Sequence, residues 1–158
     1  MPRQKGFSLI EMLLVVAIIL IIAAIAIPNL LRARIAANEA SAVSSLRALN
    51  TAQITYQSTY PTVGYATSLS SLSGTSCLPP GASGACVIDT QLASGTKSGY
   101  SFTLAGTSGT PNATYQFVAS PIAPNRTGNR YFCSFPDAVV RTSGVAISTC
   151  DYSVNPLQ

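Results

Sequence analysis

The 158-residue chain has no histidine. Without an imidazole, neither a Ser–His nor a Cys–His nucleophile system can be assembled. The cysteines, Cys77, Cys86, Cys133 and Cys150, lack the C-x-x-C spacing of a zinc site. Charge is also scarce: 9% of residues are Asp, Glu, Lys or Arg, against about 25% in ordinary soluble domains. Asp89, Asp137 and Asp151 could in principle divide acid and base roles, but their contexts read as surface or turn aspartates. No loop of alternating acids offers a calcium site. The sequence therefore predicts no catalytic residue, no metal and no cofactor. Nor does the formal charge of +4 mark a nucleic-acid binder. Arg3 and Lys5 precede the long apolar run, and setting them aside leaves 7 basic against 5 acidic side chains. Arg126, Arg130 and Arg141 are scattered through strand-like segments, whereas phosphate binding wants a focused patch. After Phe7, no aromatic occurs until Tyr56, so a continuous aromatic ladder for electron transfer is excluded along that stretch.

What the chain does have is one apolar run. Every residue from Met12 to Ile27 is apolar, and nothing later repeats this. The remainder is rich in Ser, Thr, Gly and Ala, and the total length fits one domain plus a short appendage. An even number of cysteines outside the apolar run points to an exported, disulfide-stapled domain. Of three possible pairings, Cys77–Cys86 and Cys133–Cys150 are favoured because each closes a short local loop. The second loop, of about 18 residues, is worth roughly 3 kcal/mol in the chain-entropy description.

The apolar run contains a puzzle at its start, "KGFSLIEMLLVV". An ordinary secretory signal, with Ala24-Ile25-Ala26 as cleavage site, does not account for a carboxylate at Glu11. A plain membrane anchor places Glu11 at the interface, but Met12–Ile27 at 1.5 Å per residue then spans only about 24 Å. If the chain is instead cut after Gly6, the new α-amine on Phe7 lies one helical turn from Glu11. A carboxylate in a first turn is already favoured by the helix dipole.

These residues carry a resemblance. "KGFSLIEMLLVVAIILIIAAIAIP" (residues 5–28) resembles the class III signal of type IV prepilins and of the related pseudopilins of type II secretion. The resemblance implies cleavage between Gly6 and Phe7 by a prepilin peptidase and N-methylation of Phe7. It also implies an assembly role for Glu11, opposite a neighbouring subunit's amine, and a helix kink at Pro28. Leu20 departs from the pattern, standing where many members have glycine. Lacking glycine's backbone freedom, it argues against easy melting of the segment.

Beyond Pro28, "NLLRARIAANEASAVSSLRALNTAQITYQSTY" is rich in good helix formers and free of Gly and Pro. Ile35, Ala42, Leu46, Leu49, Tyr56 and Tyr60 recur at helical spacing, a stripe suited to lying on a sheet. Pro61 stops the pattern. A helix over about residues 7–58 would be on the order of 75 Å long, too long for one small domain to bury. Residues 61–98 read as a Pro- and Gly-punctuated connector with a short helix at Ser68–Leu72. Strand candidates follow at 100–106, 114–120, 130–135, 138–142 and 145–150, with a tight turn at Ser143-Gly144. Asn112 and Asn125 sit in glycosylation-type triplets that Ser/Thr-rich sequence produces by chance.

The expected fold class is α+β, a long kinked helix packed on a small antiparallel sheet, and the pilin resemblance implies the same. The expected divisions are a leader (1–6), a transmembrane and assembly helix (7–28), an amphipathic helix (29–60), an αβ-loop region (61–98) and a sheet with a disulfide-closed C-terminal loop (99–158). The resemblance implies a subunit held in the bacterial inner membrane as a precursor and then assembled into a surface or periplasmic filament. Its partners would be the prepilin peptidase, copies of itself and other pilins, and the inner-membrane assembly machinery. A secretion pseudopilin and a monomeric membrane-anchored binding domain are the alternatives.

Overall fold

The computed structural model describes residues 7–74 and 80–157. Helix α1 runs over Leu9–Thr59, with Pro28 inside it. The chain divides into two compact units, Met1–Arg34 and Ile35–Gln158.

In the second unit, α1 supplies one layer of the core. Ala42, Leu46, Leu49 and Tyr56 are buried as their spacing predicts, joined by Val43 and Ala52. Ile35 and Tyr60, at the ends of the expected stripe, are only half-buried. The stripe faces Tyr100, Phe102, Tyr115, Phe117 and Phe132 in a single hydrophobic cluster. Side chains of this size each contribute about 1.5–3 kcal/mol when fully buried. The helix ends where Tyr60 donates its N–H to the Tyr56 carbonyl at 2.8 Å and Pro61 follows.

The sheet that completes the core is a five-stranded antiparallel meander. Strands β1 (Thr96–Lys97), β2 (Tyr100–Ser108), β3 (Thr114–Pro121), β4 (Tyr131–Ser134) and β5 (Arg141–Ser143) lie side by side in chain order. The α+β architecture expected from the sequence is present. Between α1 and the sheet lie two single-turn helices. Helix α2 (Leu69–Leu72) lies where the sequence predicts a short helix and is capped by the Ser68 hydroxyl; α3 (Thr90–Ala93) is capped by the Asp89 carboxylate. Neither α3 nor β1 was expected within the connector.

One expectation fails. Residues 138–142 and 145–150 do not form a hairpin of two strands; only Arg141–Ser143 is a strand. Ala138 adopts φ 58°, and Asp137 accepts the N–H of Val139, so the chain turns just before β5. The edge that residues 145–150 were expected to occupy is held by the chain's last described residues. Thr142 donates its N–H to the Asn155 carbonyl at 2.8 Å, and Leu157 donates to Val140 at 2.9 Å. With that edge taken, residues 145–150 loop outward, and Val145 is 72% exposed.

Of the buried polar residues on α1, Glu39, Asn50 and Gln53 each tie the helix to a later segment of the chain. The Asn50 amide donates to Ser134 Oγ at 2.7 Å and accepts from the Tyr115 hydroxyl at 3.2 Å. Gln53 makes a reciprocal pair with the backbone N–H and carbonyl of Ala66. Glu39, only 6% exposed, accepts the N–H groups of Asn129 and Arg130 and pairs with Arg130 Nε at 2.8 Å. Burial alone would push the Glu39 carboxyl up. The Asn129 N–H, the Arg130 side chain and its charge outweigh it and hold the group below its ordinary value.

The sign of the resulting pH effect follows from linkage. A depressed folded-state value means stability that is present above the unfolded value of 4.5 and lost as pH falls through the lowered one. Glu39→Gln, which cannot ionise, is expected to melt lower at neutral pH and to lose part of the acid-side decline. Thermal unfolding of the full chain in detergent across the acid range checks this. An unchanged acid limb would sink the assignment.

Candidate functional site

Among the described residues, the start of α1 exposes its large apolar side chains. Phe7 and Ser8 precede the helix, and the Ser8 carbonyl accepts the N–H groups of Glu11 and Met12 at 3.1 and 3.3 Å. Glu11 thereby falls in the first turn, where free N–H groups and the helix dipole favour an anion. Its side chain is exposed. Phe7, four positions earlier, is 70% exposed.

From Leu9 to Leu31 the large apolar side chains are exposed, and none of the most hydrophobic window is buried within the protein. The helix is long and apolar enough to cross a membrane. Soluble monomers rarely expose a contiguous apolar patch of more than a few hundred Å². This one must be covered by lipid or by other helices. Pro28 sits within the helix, which continues past it. Having no N–H, it cannot bond the carbonyl four residues back.

The other predicted residues fall as follows. Gly6 lies outside the described residues, as does Cys77. Cys86 is disulfide-bonded, and Cys133 is joined to Cys150 with a Cα–Cα distance of 5.8 Å. That bridge forms a small cluster with Val118, packed by Phe135, Ile147 and Val154. The three aspartates are not brought together. Asp89 caps α3 and pairs with Lys97, Asp137 pairs with Arg141, and Asp151 accepts from Ser153. Among the described residues there is no cluster of three or more metal-capable side chains.

Sequence reasoning passed over Arg32 and Arg34. Both are exposed, directly beyond the apolar surface. The signal was legible: two basic residues flanking the end of a span, with no acid within one helical turn.

The family model for the prokaryotic N-terminal methylation motif matches residues 1–27. The chain carries a prepilin-type N-terminus. Two relatives are similar to part of the chain. The type IV major pilin protein PilA of Myxococcus xanthus is 52% identical over 52 residues, covering 33% of this chain and 24% of that protein. The type IV wide pilus major component PilA4 of Thermus thermophilus is 62% identical over 39 residues, covering 25% of this chain and 30% of that protein. The match thus spans less than a third of either relative's length. No solved structure matches the chain. The resemblance read from residues 5–28 therefore stands on the motif and on relatives named as pilus components.

Proposed function

We propose that this protein is a structural subunit of a type IV pilus. The observation that carries the reading is the exposed apolar start of α1, led by Phe7 and Glu11, in a chain that carries the N-terminal methylation motif and is similar over part of its length to proteins named as pilus components. The role is one of assembly rather than catalysis. Residues 1–6 are a leader removed by a prepilin peptidase between Gly6 and Phe7, and Phe7 is then methylated. Before assembly the subunit waits in the inner membrane with residues 7–28 as its span and the later domain outside the cytoplasm.

Assembly transfers that helix from lipid into a bundle of identical helices. A head-to-tail contact that does not close on itself propagates into a filament. Each Glu11 entering the bundle needs a counter-charge, and a neighbour's N-terminal amine supplies it only at the correct axial offset. The pair acts as a register device more than as a net source of stability, because desolvation offsets much of a buried pair's attraction. Pro28 bends the helix where its hydrogen-bond ladder is interrupted. Both relatives are named as pilus components, which favours a pilus over a secretion pseudopilus.

Mass spectrometry of the mature protein from sheared surface filaments tests the reading. The expected N-terminus is a methylated Phe7. A mature chain starting at Ile27 would establish an ordinary secretory signal and overturn the proposal.

A further inference from the structure

Two features of the first unit are left over by filament assembly. One is length. The helix continues through Pro28, and Leu30 and Leu31 remain 70% and 43% exposed. The exposed apolar surface therefore reaches residue 31, interrupted only by Asn29. Residues 12–31 at 1.5 Å each measure about 30 Å, the thickness of a hydrocarbon core. Glu11 stands at one end of that length and Arg32 at the other.

The second feature is unmatched charge. Lys97, Arg130 and Arg141 each have a carboxylate partner, in Asp89, Glu39 and Asp137. Arg32, Arg34, Arg47 and Arg126 have none among the described residues, where these three pairs are the salt bridges present, and of the four only Arg32 and Arg34 lie directly beyond the exposed apolar surface. The chain's remaining acids do not serve them. Asp151 is held by Ser153 in the second unit, and Glu11 is on the order of 30 Å away along the helix. Any fixed counter-charge for them would come from outside the chain. Two positions apart on a helix, the pair differs by about 200° in azimuth. The guanidinium groups therefore lie on opposite sides of α1, as a collar rather than a patch.

We propose that Arg32 and Arg34 grip the phosphates of anionic lipid headgroups at the far face of the membrane and so fix the depth at which the subunit waits. This rests on the reading of the protein as a membrane-anchored precursor. The guanidinium fork matches phosphate in two-pronged geometry, and its apolar stem lies along the lipid while the head reaches water. A collar open on all sides suits a ring of headgroups, which surround a helix, better than one docked side chain. The apolar surface that continues up to Arg32 places the collar at headgroup level.

The test uses the full chain reconstituted in phosphatidylcholine vesicles containing a minority of phosphatidylglycerol. Electron paramagnetic resonance of spin-labelled lipids measures its preference for phosphatidylglycerol over phosphatidylcholine. The expected preference is up to about fivefold per arginine, the factor equivalent to about 1 kcal/mol for a basic residue at an anionic surface. Arg32→Gln with Arg34→Gln abolishes it, Arg32→Lys with Arg34→Lys retains most of it, and Arg126→Gln leaves it unchanged. A double Gln variant that keeps the preference overturns the inference, as does a wild-type protein that shows none. Loss of the preference on adding inorganic phosphate would assign the collar to a soluble anion and overturn the lipid. Failure of the wild-type chain to insert would overturn the membrane reading and this inference together, whereas insertion without preference overturns this inference alone.

Discussion

Cells whose only copy of this subunit carries Glu11→Ala are expected to display no surface filaments while holding normal amounts of processed subunit in the membrane. The expectation follows from the opposite demands of the two environments. In lipid, Glu11 stands at the edge of the apolar length, and carrying a carboxylate deeper costs about 2.5–3.5 kcal/mol on insertion scales, so its removal leaves insertion intact or improves it. In the filament, an unpaired N-terminal amine would remain inside an apolar bundle, and the charge pair that selects one axial offset would be gone. Glu11→Gln separates charge from shape, because the amide keeps the volume and hydrogen-bonding reach but not the counter-charge. It too is expected to block assembly. Electron microscopy of sheared preparations, with immunoblotting of membranes, measures both sides. Normal filament yield from either variant would remove Glu11 from the mechanism.

Replacing Cys133 and Cys150 together by serine is expected to destabilise the second unit by about 3 kcal/mol, the loop-closure value for a link of this length. The sequence separation is 17 residues, and the segment it closes has little regular structure beyond β5. What else holds that segment is local. Arg141 pairs with Asp137, donates to the Val154 carbonyl and lies over the rings of Phe135 and Tyr152 at 4.9 and 5.2 Å. The Cys150 N–H donates to the Gln116 side chain at 2.9 Å, the tie that carries the loop back to β3. Hydrogen exchange on the double variant should therefore show residues after 143 opening first while β2 and β3 stay protected. Uniform loss of protection across the sheet would mean that the bridge supports the whole core rather than its last segment.

How much of this was readable from the residues differs sharply along the chain. The N-terminal methylation motif was readable because its residues are contiguous: glycine, phenylalanine, the acid and the apolar run occupy neighbouring positions. The long helix was readable because Ala and Leu dominate it and its core stripe repeats at one period. Glu39, Asn50 and Gln53 were not. A polar residue on a helix reads as solvent-facing, and the groups that satisfy Glu39 and Asn50 lie 65 to 91 residues away in the chain. Helix α3 and strand β1 escaped notice because elements of four and two residues depend on a cap and a neighbour rather than on periodicity. Residues 145–150 have the alternation of a strand, but pattern alone does not record that residues 155–157 already occupy the edge beside β5. Competition for an edge is a property of the folded chain.

Pro28 has a mechanical consequence. A helix carries tension through a ladder of hydrogen bonds, and at this position the ladder is one rung short, since the Ala24 carbonyl has no N–H four residues on. A filament pulled along its axis loads many such helices in parallel, and each has its weakest link at the same height. Opening one turn there lengthens the chain by about 7 Å, the difference between helical and extended rise over four residues. Stretch would then begin at a defined level in every subunit, and filaments of Pro28→Ala subunits should require a higher force for their first extension in single-filament pulling. Equal onset forces would place the compliance elsewhere. In the proposed filament, the interruption acts as a built-in elastic joint, set between the exposed apolar part of the helix and the part that packs on the sheet.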